Sequence, residues 1–138
     1  MAGDSGRIGL EPDMWFLIFT EHTDRRWVGW LAAGRFAHVL AFGWVPDQRA
    51  WLVYEVTMNR TRVAVMPDCP GSDERIAELR AGNVTLAMKP AEGRAPWMRL
   101  GFWCVPAMAH LLGLSRRPLR PDALFRACLA EGAEIVDW

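Results

Sequence analysis

Three side chains in this sequence are suited to acyl-transfer chemistry: the thiol of Cys104, the imidazole of His38 and the carboxylate of Glu55. A cysteine nucleophile needs a base nearby, usually histidine, and a third polar group commonly orients that histidine. Cys104 lies in Phe102-Trp103-Cys104-Val105-Pro106. Proline fits the first turn of a helix, where its missing N–H leaves no intrahelical bond unmade, so a helix is predicted to begin at or just after Cys104. A helix N-terminus gathers unbonded N–H groups and positive potential. A thiol held in such a place ionises more readily, and the thiolate is the form that attacks a carbonyl carbon. The competing reading is a buried structural thiol, because free cysteine is among the most buried residue types and the segment is apolar.

The sequence offers three histidines as the base. His110 follows Cys104 by six residues, about 600 degrees of helical rotation, and so falls on another face. His22 sits in a charged segment and reads as an ordinary exposed side chain. His38 interrupts the apolar run Phe36-Ala37-His38-Val39-Leu40-Ala41-Phe42. If Pro46 to Arg49 forms a symmetric turn, Leu40 faces Glu55 and His38 faces Thr57, which makes His38 and Glu55 diagonal neighbours on one side of a hairpin. A register shift of one residue would put Tyr54 there instead, so Tyr54 is the reserve third group. The structural alternatives are a histidine bonded to backbone and a solvated carboxylate.

The elements that must position these groups follow from pattern. Met14 to Thr20 is a nearly continuous apolar run, consistent with a buried strand. Glu21 to Gly34 mixes charges with Trp27 and Trp30 and reads as loop or short helix. Phe36 to Val45 and Ala50 to Thr57 are rich in β-formers around the turn residues Pro46-Asp47-Gln48-Arg49, which predicts a hairpin. Thr61 to Met66 gives a further strand. Ser72 is expected to cap a helix that carries Ile76 and Leu79 on its apolar side and stops at Gly82. Asn83 to Lys89 returns as a strand, and Pro90 to Pro96 reads as a surface loop. The Cys104 helix turns Met108, Leu111 and Leu112 to the core on one side and stops at Gly113. A last helix starts at Pro121-Asp122, presents Leu124, Phe125, Cys128 and Leu129, and ends at Gly132, before a short strand at Ile135 and Val136. The expected fold class is α+β, an antiparallel sheet packed with helices.

At 138 residues the chain has the size of one domain, and residues 14–138 are assigned to it, with 1–13 as a flexible N-terminal segment. Cys69, Cys104 and Cys128 are an odd count without a Cys-x-x-Cys pair, which argues against a disulfide framework or structural zinc. No His-x-x-x-His spacing appears, so neither metal nor cofactor is expected. Net charge is zero, with Lys89 the only lysine, so nucleic acid is not an expected partner. Arg116, Arg117 and Arg120 read as a solvated connector. The N-terminal residues lack the basic start and apolar core of a signal peptide, and the longest apolar stretch, Leu100 to Leu114, is too short for a membrane span. A soluble protein, cytoplasmic or virion-associated, is expected. Eight tryptophans suit either a core or a binding groove.

The order of a strand histidine in His38-Val39, a polar residue on the following strand and a later Cys104 opening an apolar helix resembles the circularly permuted papain-like (NlpC-type) superfamily. In the usual papain-like order the cysteine precedes the histidine, and here it follows. The resemblance spans about Phe36 to Leu129. Its most specific parts are Cys104-Val105 running into Leu111-Leu112-Gly113-Leu114, then Arg120-Pro121-Asp122-Ala123-Leu124-Phe125. The layout is also similar to small phage-encoded proteins of that type. Several relatives carry Asn before the cysteine, where this chain has Trp103.

The resemblance implies a permuted papain-like architecture and a thiol hydrolase or acyltransferase acting on amide, isopeptide or ester bonds. Cys104 would be the nucleophile, His38 the general base and Glu55 the group that orients His38, with the Cys104 backbone N–H as one oxyanion donor. A peptide or peptidoglycan-like molecule is the substrate class implied. The alternatives are a non-catalytic phage-type interaction or assembly protein, favoured by the tryptophan load, and a thiol acyltransferase acting on lipid.

Overall fold

A computed structural model describes residues 12–21, 35–57, 59–91 and 103–137. Within them the chain forms strands β1 (Trp15–Glu21), β2 (Phe36–Val45), β3 (Ala50–Val56) and β4 (Thr61–Pro67), helix α1 (Pro70–Arg80), β5 (Val84–Met88), α2 (Cys104–Leu112), α3 (Pro121–Ala130) and β6 (Glu134–Val136). The six strands make one antiparallel sheet in the order β4-β3-β2-β1-β5-β6. The fold is α+β, as the patterning indicates. His22, Trp27, Trp30, Phe102 and most of the expected 90–96 loop lie outside the described residues.

β1 and β2 occupy the middle of the sheet, and both of their faces are covered. Leu17, Phe19, Val39 and Ala41 join Met108, Leu112 and Leu124 in one core, on the face packed by α2 and α3. Ile18, Leu40, Phe42 and Val53 form a second core with Ile76 of α1 on the opposite face. Burial on both sides removes the need for polar alternation, which is why these two strands read as continuous apolar runs.

Two local expectations are corrected. The first helix begins at Pro70, with Cys69 rather than Ser72 at its N-cap. Proline's fixed φ suits the first helical position, and the Ser72 N–H bonds back to the Cys69 carbonyl at 3.0 Å, so Ser72 is already inside the first turn. The second concerns α2, which is buried nearly all round rather than along one side: Cys104 to Ala109 and Leu112 are buried, and His110 is exposed. Ala107 and Ala109 are small enough to let neighbours close over the flanks that patterning counts as neutral. The helix ends at Gly113, whose φ of 65° is in the left-handed region. There the Gly113 and Leu114 N–H groups return to the His110 and Ala109 carbonyls, at 3.2 and 3.0 Å.

Gly43 of β2 is a point of close approach. A Cβ at this position would lie 2.5 Å from the Pro12 Cβ and 2.6 Å from its Cγ. Gly43→Val is therefore expected to destabilise the fold by about 1–3 kcal/mol, as overpacked sites generally do. Urea unfolding checks this, and a midpoint equal to wild type would show that Pro12 does not press on the strand.

Candidate active site

The hairpin that carries His38 and Glu55 turns through a short 3-10 segment, Pro46–Gln48, closed by Arg49 at φ 48°. Its ladder is symmetric, from Val45↔Ala50 to Ala41↔Tyr54, and continuing the same register sets Leu40 opposite Glu55. The pairing stops at Ala41↔Tyr54 although both strands go on. β2 remains paired with β1 as far as Phe36, and β3 with β4 as far as Val56. The sheet thus divides between β2 and β3. His38 and Glu55 stand on opposite banks of this division, and His38 Nε2 lies 3.0 Å from Glu55 Oε1. Tyr54, the reserve, lies on the other face and packs with Leu52 against the helix-side core.

Strand alternation assigns His38 and Glu55 to the face of Leu40 and Val53, whereas Cys104, the first residue of α2, belongs to the opposite core with Val39 and Ala41. The two meet because the division opens the sheet where α2 delivers its N-terminus. A register irregularity at Thr20/Glu21, where Glu21 pairs with Phe36 and Thr20 with His38, adds local twist to β2 at this point. The Cys104 side chain then lies close enough to His38 to raise the pKa of its imidazole. With Nε2 turned to Glu55, Nδ1 is the ring nitrogen left for the thiol.

These neighbours raise the His38 pKa above the ordinary imidazole value of 6.5. Hydrogen bonding to Cys104 is the largest cause, burial opposes it, and the charge of Cys104 and the hydrogen bond and charge of Glu55 add to the rise. The N-cap of α2, Trp103 in extended conformation, makes no side-chain cap bond to the N–H groups at the helix start. The Trp103 indole N–H instead donates to the Leu119 carbonyl at 3.2 Å.

The sequence reading did not single out Asp122 as a site residue. Its Oδ1 accepts the Phe36 N–H at 2.8 Å and its Oδ2 the Arg35 N–H at 2.7 Å, which ties the start of α3 to β2 two residues before His38. Rings reinforce this junction: Phe19, Phe36 and Phe125 pack with centroids 5.1 to 5.2 Å apart. An acidic residue in a helix's first turn is ordinary helix chemistry, so nothing local marks Asp122 as an anchor for a strand 86 residues away.

The other two cysteines are differently placed. Cys128 is fully buried, and burial, with the nearby charge of Glu131, pushes its thiol up to about 12. Cys69 is half-buried, and its hydrogen bond with the Ser72 hydroxyl, 3.4 Å away, lowers its pKa. All three thiols are free. Among the described residues, no group of three or more His, Cys, Asp or Glu side chains could hold a metal ion, and no helix is long and apolar enough to cross a membrane.

A raised pKa means that the folded state favours protonated His38. The resulting stabilisation is complete below about 6.5 and is lost as pH rises through the folded-state value. The stability advantage of wild type over His38→Gln is expected to be larger at about pH 5.5 than at about pH 8.5 in urea titrations. In NMR titrations, Cys104→Ala and Glu55→Gln should each lower the His38 pKa. An advantage that grows with pH would contradict the charge arrangement.

Comparison with family models, curated proteins and solved structures finds no match to this chain.

Proposed function

We propose that this protein is a thiol-dependent hydrolase of amide or isopeptide bonds, with Cys104 as nucleophile, His38 as general base and Glu55 as the group that orients His38. The observation that carries the reading is the position of one imidazole between a carboxylate, at 3.0 Å from Nε2, and a cysteine on the first turn of an uncapped helix. A structural cysteine needs neither partner. The resemblance to permuted papain-like (NlpC-type) enzymes supports the same roles and points to peptidoglycan peptides as the first substrates to try.

The steps follow from the placement. His38 Nδ1 takes the Cys104 proton, and the sulfur attacks the substrate carbonyl carbon to form a tetrahedral oxyanion. N–H groups at the start of α2, that of Cys104 among them, face the developing charge. Collapse of this intermediate breaks the C–N bond, with the imidazolium giving its proton to the departing amine. Water, deprotonated by His38, then releases the acid from the thioester and restores the thiol. Glu55 holds Nε2 throughout, which fixes the ring's orientation and favours the imidazolium.

Alkylation by iodoacetamide, located by mass spectrometry, tests the pairing. Cys104 in the native protein is expected to label rapidly near neutral pH, and His38→Ala to slow it by about 10²-fold or more. Against a panel of peptide amides, Cys104→Ala should abolish turnover. A Cys104 as resistant to alkylation as Cys128 would defeat the nucleophile assignment.

A further inference from the structure

We propose that β4 is an interaction surface for a second copy of this chain, and that two copies join antiparallel at their β4 edges about a two-fold axis through Ala64. β4 ends the sheet, so among the described strands it has a neighbour, β3, on one side only. The two ends of the sheet are unlike. At the other end β6 is three residues long, begins at Glu134 and is followed closely by Asp137. Shortness and charge are ordinary protections of an edge against further pairing. β4 has little of either: it runs for seven residues, Thr61–Pro67, in which Arg62 alone is charged.

The turn between β3 and β4 fixes which backbone groups this edge presents. The Thr57 N–H bonds the Arg60 carbonyl at 2.8 Å, which makes Thr57 and Arg60 a hydrogen-bonded pair. Bonded and non-bonded pairs alternate along an antiparallel ladder. Glu55↔Arg62, Val53↔Ala64 and Trp51↔Met66 are then the bonded pairs, and the N–H and C=O groups of Thr61, Val63 and Val65 point away from β3. Pro67 obeys the same alternation, and proline is tolerated there because the N–H it lacks would also have pointed outward. Thr61, Val63, Val65 and Pro67 are all exposed, Val63 at 60% and Val65 at 69%.

This edge is complementary to itself. Pairing centred on Ala64 sets Val63 opposite Val65 of the second copy and Thr61 opposite its Pro67. Each Val63 N–H then meets a Val65 carbonyl, each Val65 N–H a Val63 carbonyl and each Thr61 N–H a Pro67 carbonyl, so the missing proline N–H leaves no donor unpaired. The valines stand beside Tyr54 and Leu52 in the β3–β4 ladder, and across the junction Tyr54, Val63, Val65 and Leu52 line up as one apolar row. On the other face the Arg62 stem packs along Met66 of the second copy. The two Arg62 side chains stay about 13 Å apart, four residues of strand. Sliding to the neighbouring register, Val63 against Val63, halves that separation and sets Val65 against Thr61. Sliding the other way carries Thr61 past the end of the facing strand.

Analytical ultracentrifugation of the full chain tests the proposal. Wild type is expected to pass from monomer to dimer as its concentration rises from about 5 to about 500 μM, the range suited to an interface at the small end of the size scale. Val63→Lys and Val65→Glu should each remain monomeric over that range. Mixing the two variants should restore a dimer, because the register centred on Ala64 sets the introduced ammonium against the introduced carboxylate at one position and valine against valine at the other. A readout that needs no variant is amide hydrogen exchange in wild type, where the Val63 and Val65 N–H groups should exchange about 10-fold or more slowly at dimer concentrations than at monomer concentrations. A wild type that stays monomeric throughout, single variants that still dimerise, a mixture that stays monomeric, or exchange at Val63 and Val65 that ignores concentration each overturns the proposal.

Discussion

The parting of β2 from β3 beyond Ala41 is the constraint on which the site depends. A sheet separates the groups on its two faces, and strand alternation sends His38 and Glu55 one way and the α2 core the other. Only where the ladder between the strands ends can an imidazole from one bank, a carboxylate from the other and a thiol from the overlying helix converge. Each strand keeps its outer neighbour at that point, β1 for β2 and β4 for β3, so the backbone on both banks remains ordered by hydrogen bonds. A hydrogen bond of 3.0 Å thus spans the opening between two banks that are each held by an outer ladder.

Support also comes from the helix side. α2 has buried residues on every flank except that of His110, so the orientation of Cys104 is set by packing and not by a flexible loop. Asp122 does the same for the strand, because both of its carboxylate oxygens are committed to the β2 backbone just ahead of His38. The two arms of the site are thus held by different helices, α2 directly through its first residue and α3 through a carboxylate at its start.

Much of this was legible in the sequence where short-range rules govern. A four-residue connection with symmetric flanks sets hairpin register, and register alone brings His38 and Glu55 into diagonal proximity. Pro106 marks the start of a helix strongly enough to place Cys104 on its first turn. The strand division, the anchor at Asp122 and the burial of α2 on all flanks were not legible, for they arise from contacts between distant segments that leave no periodic trace. At Pro70 and Ser72 two local signals competed, and proline's fixed backbone angle outweighed the serine's preference for capping. The exposed valines of β4 present the reverse case. Their residue types mark a strand correctly, but only the sheet's order shows that they face solvent.

The bonds from Asp122 to Arg35 and Phe36 have a temporal meaning as well, since they close loops of 87 and 86 residues. During synthesis the hairpin bearing the imidazole and carboxylate emerges first and can pair locally, whereas the segment bearing Cys104 and the tie that fixes the histidine strand come out much later. The strand that carries His38 is therefore tied down only once the chain has been made through Asp122, well after the hairpin itself has emerged.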